Sequence, residues 1–447
     1  MLRRTLSLVL MIVVLSSCSI SQPASTIQGG SVAQSAGQVA MVAQPAAAQL
    51  VSQVESAAAT KVPTQVKPQI TTRVPKPTAI PEKPSSAAQS RASSGRVGPD
   101  TFPEGVSPLT GLPVKNAENL SLSPALVSVT NFPTTARPQA GLSFSPYVFE
   151  MYIGEGMTRF LAVFHGDYPE KGEQNGIALS DDRIGPVRSG RLPFESVRQL
   201  YSGFLVMSSA SSVVLPSLGG YTNVFGSDNS DINSALIPAT KLEEIAAKNP
   251  KRLQPDALSG QVFDTTAPAN GQPGKMLWIP FSFLNQVIWR YDAPSGSYHR
   301  YQDNADGKTF IQATDRLNGD PLTYENVVIL FADHQAKRET LIEIDLQYIN
   351  RKPALLFRDG QMYKIYWTTA NSDYEKRTGL VRPIRFIDAQ GQPFPLKPGQ
   401  TWVEIVQDPT AYNETMDSEN YFDLKTKKEP GSGNWAVHFY PTIPERP

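Results

Sequence analysis

The distribution of aromatic residues limits most strongly what this chain can fold into. All 40 aromatic residues of the 447-residue chain (5 Trp, 16 Tyr and 19 Phe) lie at or beyond Phe102. Aromatic side chains bury large areas and dominate the energetics of protein cores. The first hundred residues therefore have little with which to build a core, whereas the remaining 346 residues suffice for one large or two ordinary domains.

Composition excludes several classes of protein. The 41 Lys and Arg residues balance 41 Asp and Glu residues, which argues against a nucleic-acid binder, since such a protein needs a basic face. A single Cys excludes a disulfide framework and a Cys-based zinc cluster. None of the four His residues stands at ligand spacing from another. The sequence therefore predicts no nucleic-acid partner, no cofactor and no metal site.

Residues 1–18 have the layout of a lipoprotein signal peptide. Arg3 and Arg4 precede an apolar run from Leu6 to Leu15, which is followed by two serines and Cys18. The run fits a secretory signal and is shorter than the about 20 residues of a membrane span. A Leu, two small residues and Cys resemble the bacterial lipobox, and this resemblance implies lipid attachment, palmitate for example, to Cys18. An ordinary signal peptide with a chance Cys, or a core helix, is the alternative.

Residues 19–101 are predicted to form a disordered tether. The segment from Ser19 to Asp100 holds nine Pro and ten charged residues and is rich in Ala, Gln and Ser. Such a composition cannot bury enough apolar surface to offset the entropy of ordering. A flexible coil of this length spans roughly 50 Å. A tether of this kind would hold a folded body off the outer, extracytoplasmic face of a bacterial cell membrane.

Patterning predicts an α+β body preceded by this tether. Residues 105–285 are expected to form a mixed α/β domain, residues 286–410 a mainly antiparallel β domain, and residues 411–447 a C-terminal extension. The predicted strands of the first domain are Ala125–Phe132, Tyr147–Ile153, Thr158–Phe164 and Phe204–Met207, and its predicted helices are Arg191–Tyr201 and Thr240–Lys248. Thr240 and Glu243 have the spacing of a capping box.

The second half carries short strands and hairpin turns. The predicted strands are Val327–Phe331, Leu341–Leu346, Ala354–Phe357, Met362–Trp367, Ile384–Ile387 and Trp402–Val406. Asp-Gly or Asn-Gly dipeptides at 306, 318 and 359 suit type I′ hairpin turns. The segment from Phe357 to Met362 is the clearest of these hairpins.

Several motifs resemble those of the YerB-like lipoproteins, an envelope family whose two domains are uncharacterised. The motifs are PLTGLP at 108–113, ARPQAGLS at 136–143, FE at 149–150 with GEGMTRF at 154–160, IGPVRSGR at 184–191, LFRDG at 356–360 and LKPGQTW at 396–402. The resemblance implies a lipobox, a mixed N-terminal domain and a β-rich C-terminal domain, but no mechanism. The chain departs from the family at Ser208–Ser212, where relatives have a His-containing turn, and near Ser234–Leu236, where a second His is expected.

One cluster of charged residues is the candidate ligand site. It comprises Glu150, Glu155, Arg159, Asp181, Asp182, Arg183, Arg188 and Arg191. Arg188 and Arg191 stand three apart at a predicted helix start, where backbone N–H groups already favour an anion, and two guanidinium groups there could grip a carboxylate or phosphate. The predicted ligand-binding set is Arg159, Arg188, Arg191, Glu150 and Glu155. The alternative is that the arginines pair internally with Glu150 or Asp182.

The leading functional hypothesis is a lipid-anchored, extracytoplasmic binding protein without catalysis. Its ligand would be a cell-wall polymer fragment or a secreted partner protein. Weak catalytic candidates are Glu150, Glu155 and Asp182, which as a carboxylate pair could serve a cell-wall-active hydrolase if about 5–9.5 Å separated them. A third hypothesis is a scaffold for another secreted protein. The chain lacks the sequence of a serine-hydrolase elbow or of a phosphate-binding P-loop.

Overall fold

A computed structural model describes residues 95–174, 177–249, 252–254, 256–307 and 309–439. The predicted signal peptide, Cys18 and nearly all of the predicted tether lie outside the described residues. Nothing in the described ranges therefore bears on the predicted lipid attachment. The last residues of the predicted tether, 95–101, are described, and there Val97 exchanges two backbone hydrogen bonds with Phe263 (2.8 and 2.9 Å), so the ordered body begins before residue 101.

The described chain is built mostly from strands. The strands are β1 (Ala125–Thr130), β2 (Tyr147–Gly154), β3 (Met157–Phe164), β4 (Gly172–Gln174), β5 (Ile177–Leu179), β6 (Arg183–Ile184), β7 (Phe204–Met207), β8 (Tyr221–Asn223), β9 (Ile237–Pro238), β10 (Val262–Phe263), β11 (Gln272–Pro273), β12 (Met276–Ser282), β13 (Asn285–Asp292), β14 (Ser297–Asp303), β15 (Phe310–Gln312), β16 (Thr323–Tyr324), β17 (Asn326–Ala332), β18 (His334–Arg338), β19 (Leu341–Ile344), β20 (Lys352–Arg358), β21 (Gln361–Thr368), β22 (Arg385–Ile387), β23 (Pro395–Leu396), β24 (Thr401–Gln407), β25 (Ala411–Glu414) and β26 (Asn434–His438). The α-helices are α1 (Leu192–Leu200), α2 (Ala239–Lys248), α3 (Asp373–Thr378) and α4 (Tyr421–Thr426), and short 3₁₀ turns lie at Ala117–Ser121, Thr134–Ala136, Leu142–Phe144 and Leu215–Ser217.

One 11-stranded sheet takes strands from both halves of the sequence. Its order is β11-β21-β20-β17-β24-β2-β3-β1-β7-β8, with β22 paired to β21. At its centre β2 and β24 run parallel, and Glu150 lies directly beside Glu404. The strands β1, β2 and β17 are buried along their whole length, as near-continuous apolar runs require when both faces of a sheet are covered.

A second, 7-stranded sheet packs against the first. Its order is β15-β14-β13-β12-β26-β25, with β16 paired to β14. Aromatic rings fill the space between the sheets: the ring centroid of Trp402 on β24 lies 5.3 Å from that of Trp289 on β13 and 5.1 Å from that of Phe160 on β3. The core of this body therefore lies between two β-sheets.

The predicted fold class is confirmed only in part. The described chain is mainly β with few helices, so the prediction of a mixed α/β domain over 105–285 is wrong. Both predicted helices of that region form, as α1 and α2. However, the intervening segments form additional strands rather than a helical layer: β8 extends the 11-stranded sheet, and β12 lies inside the 7-stranded sheet.

The turn residues explain why the hairpin predicted at Phe357 to Met362 forms. Asp359 and Gly360 both have positive φ (52° and 69°), as a type I′ turn demands, and they join β20 to β21.

The capping box expected at Thr240 does not form. The helix α2 begins one residue earlier, after Pro238 and without a side-chain cap, because the Ala239 N–H donates to the carbonyl of Asp182 (3.1 Å).

The described residues contain no helix that is both long and apolar enough to cross a membrane.

Candidate functional site

Three arginines meet at the carboxyl ends of the parallel strands β1 and β7. Thr130, the last residue of β1, pairs with Arg159 on β3. The segment that carries Arg188 and Arg191 crosses the same end of the sheet, since the Arg188 N–H donates to the carbonyl of Ser128 (2.9 Å). Open sheets with parallel strands commonly bind ligands at this edge. We call Arg159, Arg188 and Arg191 the arginine triad.

The backbone around the triad is held closely against β7. The Gly190 N–H donates to the carbonyl of Ser209 (2.9 Å), just beyond the end of β7. A Cβ atom on Gly190 would lie 2.5 Å from Sδ of Met207, so no larger residue fits without displacement. Arg191 is extended and directly precedes α1, which begins without a side-chain cap.

Two guanidinium groups of the triad share one acceptor. Nη1 of Arg159 donates to the Ser189 carbonyl (3.1 Å), and Nη1 of Arg191 donates to the carbonyls of Gly190 (3.0 Å) and Ser189 (3.5 Å). The Nε atoms of both arginines are buried and have no hydrogen-bond acceptor among the described residues. Arg159 is only 7% exposed. A buried donor without an acceptor is costly, so the triad presents unmet hydrogen-bonding capacity.

The third arginine lies nearer the surface. Arg188 donates through Nη2 to Oδ1 of Asn233 (2.9 Å) and through Nη1 to the carbonyl of Ile232. These contacts fix the guanidinium against the loop that follows β8. Arg188 is half-buried, so the triad extends from a buried base at Arg159 to the surface.

The electrostatics of the triad favour an anion. Within the described part of the chain, no triad arginine forms an ion pair with a carboxylate. Burial lowers the pKa of Arg159 well below its usual value, and the charges of Arg191 and Arg188 lower it further. Burial also lowers the pKa of Arg188, where the charge of Asp231 opposes the shift. A bound anion would relieve this repulsion and accept from the free Nε donors.

The structure separates the predicted carboxylates from the triad. Glu150 is directly opposite Phe160 in the β2–β3 pair, so Glu150 and Arg159 project from opposite faces of the sheet. Glu155 is exposed at the β2–β3 turn. Asp182 is buried and pairs with Lys171 (3.2 Å), whereas Asp181 pairs with Arg183 (2.7 Å). Glu150, Glu155 and Asp182 therefore lie in three different environments.

Glu150 belongs instead to a buried cluster that the sequence analysis missed. Its Oε2 accepts from Nη2 of Arg300 on β14 (2.8 Å), and its Oε1 accepts from Oγ1 of Thr158 (2.6 Å). Its neighbour Glu404 accepts from Nε1 of Trp289 (2.8 Å). Arg300 is 1% exposed, and its guanidinium carbon lies 4.8 Å from the ring centroid of Trp402. We call Glu150, Glu404 and Arg300 the carboxyl–arginine cluster.

One proton makes the carboxyl–arginine cluster electrically neutral. Burial and the adjacent Glu150 raise the pKa of Glu404 well above its usual value, although Arg300 acts in the opposite direction. The raised pKa favours the protonated, neutral form of Glu404, beside the Glu150–Arg300 ion pair. The sequence does contain one indication of this cluster: a charged residue stands in the middle of each of three apolar or aromatic strands, VFEMY, YHRYQ and WVEIV. Such a residue indicates a buried pair but does not identify its partner.

Other polar sequences are explained locally. The Asp228–Asp231 segment is an exposed loop closed by its own side chains, since Oδ1 of Asp228 accepts from the backbone N–H (2.8 Å) and Oγ (2.7 Å) of Ser230. In the ranges that the structure describes, no group of three or more His, Cys, Asp or Glu residues is placed to hold a metal ion.

Comparison with known proteins identifies the family. Two family descriptions match: "Protein of unknown function (DUF3048) N-terminal domain" over residues 109–244 and "Protein of unknown function (DUF3048) C-terminal domain" over residues 278–403. The chain is also 26% identical over 326 residues to YerB of Bacillus subtilis (strain 168), a protein named provisionally as a lipoprotein; the match covers 69% of this chain and 88% of YerB.

A solved structure supports the same assignment at the level of the fold. The crystal structure of YerB protein from Bacillus subtilis matches with a TM-score of 0.52 and 24% identity, and the match covers 67% of this chain and 96% of that chain. These matches confirm the resemblance indicated by the sequence motifs. The chain belongs to the family of YerB-like lipoproteins, whose two DUF3048 domains have no known function.

Proposed function

We propose that this chain is a lipid-anchored, extracytoplasmic binding protein of the bacterial envelope, and that the arginine triad holds an anionic group of its ligand. The ligand would be an anionic envelope component such as a wall fragment. The observation that carries the proposal is the pair of buried Nε donors, on Arg159 and Arg191, that have no acceptor among the described residues.

The anchor is supported by the N-terminal sequence and by the relative. The chain's single Cys stands where a lipobox requires it, and the relative YerB is named provisionally as a lipoprotein. Because lipobox processing attaches more than one acyl chain, the anchoring would be stable, whereas one chain alone binds a membrane only marginally.

The anchor is tested by metabolic labelling with a fatty acid. We expect the wild-type protein to incorporate the label and to sediment with membranes, and the Cys18→Ala protein to do neither. Label in the Cys18→Ala protein, or unprocessed wild-type protein in the soluble cell interior, would contradict the anchor.

Binding without catalysis agrees with the positions of the carboxylates. A hydrolase of the kind considered above needs two carboxyl groups that face one another across an open groove. Glu150 is buried against Arg300, Glu155 is exposed at a turn, and Asp182 is paired with Lys171. The triad, by contrast, extends to the surface through Arg188 and Arg191.

The binding role is tested with an Arg188→Ala/Arg191→Ala double variant. Hydrogen bonds to charged groups contribute about 1.5–3 kcal/mol, so we expect capture of purified, protein-free cell wall in a sedimentation assay to fall about tenfold or more. The matched control is Arg183→Ala, which removes a nearby exposed arginine that pairs with Asp181, and which should leave capture unchanged.

Thermal unfolding of both proteins shows whether the double variant is folded. Full capture by a folded double variant, or an equal loss in Arg183→Ala, would defeat the proposed site.

A further inference from the structure

Exposed apolar side chains concentrate in one stretch of the chain. Of the ten large hydrophobic side chains that are exposed among the described residues, four lie in the twenty residues from Val213 to Ile232, namely Val213, Tyr221, Phe225 and Ile232. Phe225 is 66% exposed and Ile232 is 57% exposed. Isolated exposed hydrophobic residues are ordinary, but a concentration of them is typical of a binding surface.

This stretch is joined directly to the arginine triad. Arg188 donates to the carbonyl of Ile232. On the other side, the Gly190 N–H donates to the carbonyl of Ser209 (2.9 Å), and the Ser209 N–H donates to Oδ1 of Asn223 (3.1 Å), two residues before Phe225. We call Phe225 and Ile232 the apolar rim: Ile232 contacts Arg188 through its carbonyl, and Phe225 lies two residues beyond Asn223, which is linked through Ser209 to Gly190.

The local charges select the kind of anion. The triad carries three positive charges, and Asp231 is the carboxylate whose charge acts on Arg188. The remaining excess of two positive charges matches a dianionic phosphate monoester better than a single carboxylate. Asp228 and Asp231 are exposed on the same loop as Ile232. Their negative charges would repel a flat anionic membrane surface.

We infer that the ligand is a phosphorylated amphiphile, whose phosphate monoester binds the arginine triad and whose apolar chain lies along Phe225 and Ile232. This inference rests on the proposed function and names the chemical class of its ligand. The two halves of the site then act together: the guanidinium groups neutralise the phosphate, and the apolar rim removes the adjoining chain from water.

The inference is tested by calorimetric titration of the mature chain with three probes. These are dodecyl phosphate below its micelle concentration, ethyl phosphate and dodecyl maltoside. We expect dodecyl phosphate to bind at least about tenfold more tightly than ethyl phosphate, a difference of about 1.4 kcal/mol, and dodecyl maltoside to bind far more weakly because it carries no charge.

Variants of the apolar rim separate its role from that of the triad. A Phe225→Ser/Ile232→Ser protein should bind dodecyl phosphate no more tightly than ethyl phosphate, with ethyl phosphate binding unchanged. Phe422→Ser is the matched control, since Phe422 is also 66% exposed but lies on α4. It should retain the preference for the longer probe.

Four outcomes would overturn the inference. The first is equal binding of the two phosphates, and the second is binding of dodecyl maltoside as tight as that of dodecyl phosphate. The third is loss of the preference for the longer probe in Phe422→Ser. The fourth is a wild-type dimer in sedimentation velocity that the rim variant converts to a monomer, since a second copy of the chain would then cover the rim. Ethyl phosphate binding without a chain-length preference would defeat this inference alone. Binding of neither phosphate, together with full wall capture by Arg188→Ala/Arg191→Ala, would defeat the proposed function as well.

Discussion

Replacing Arg300 with Met is expected to lower the free energy of unfolding by about 3–5 kcal/mol, the usual cost of removing one partner from a buried ion pair. Arg300 is 1% exposed and donates to both Glu150 (2.8 Å) and Gln302 (2.6 Å). Methionine fills part of the same space between the aromatic rings but removes the ion-pair partner of the buried Glu150. Denaturant unfolding of the Arg300→Met protein measures this loss.

A neighbouring arginine provides the control. Arg290, on the adjacent strand β13, pairs with the exposed Asp417 (2.7 Å), and surface pairs contribute about 0–1 kcal/mol. Arg290→Met should therefore cost no more than about 1 kcal/mol. Adding Glu150→Gln to Arg300→Met should restore part of the stability, because the unpaired charge is removed. Similar losses in the two single variants would contradict a larger contribution of the buried Glu150–Arg300 pair than of the surface Arg290–Asp417 pair.

The second large effect is on the pH dependence of stability, through Glu404. The pKa of Glu404 is raised in the folded chain, so the folded state retains a proton that the unfolded state releases above its ordinary carboxyl pKa. The stabilisation is therefore complete below the unfolded pKa and is lost as pH rises towards the folded pKa. One such group contributes a slope of up to about 1.4 kcal/mol per pH unit.

Glu404→Gln removes this slope while keeping a neutral side chain of the same shape. Between pH 5 and 8, the free energy of unfolding of the variant should fall less with rising pH than that of the wild type, and the variant should be the more stable protein at the upper end. Glu343→Gln, which changes a half-exposed residue on β19 paired with Lys337 (3.1 Å), should leave the pH profile unchanged. Parallel profiles for wild type and Glu404→Gln would contradict the assigned proton.

Local patterns account for the elements that the sequence predicted correctly. The strand Phe204–Met207 has the predicted bounds. The β20–β21 hairpin forms because Asp-Gly fixes its turn. Strands were missed over 105–285, since sheet pairing with distant strands decided the structure of segments such as Met276–Ser282, which lies between β13 and β26.

Long-range pairing accounts for what the sequence did not reveal about the two polar sites. Glu150 lies beside Glu404 only because β2 and β24, far apart in the chain, run parallel, and no local pattern encodes that pairing. The spacing of Arg188 and Arg191 predicted that they lie together, and in the structure the charges of both act on Arg159. The prediction that Glu150 and Arg159 share one site was wrong because Glu150 is opposite Phe160 and not opposite Arg159. A shift of one residue places a side chain on the opposite face of a sheet.

The most direct test of the arginine triad is to locate an electron-dense anion in crystals of the folded body soaked with tungstate, a tetrahedral dianion whose anomalous scattering marks its position. We expect an anomalous peak for a tungstate ion whose oxygens lie about 3 Å, a hydrogen-bond distance, from Nε of both Arg159 and Arg191. Ordered tungstate elsewhere on the molecule, with none at these two nitrogens, would contradict it.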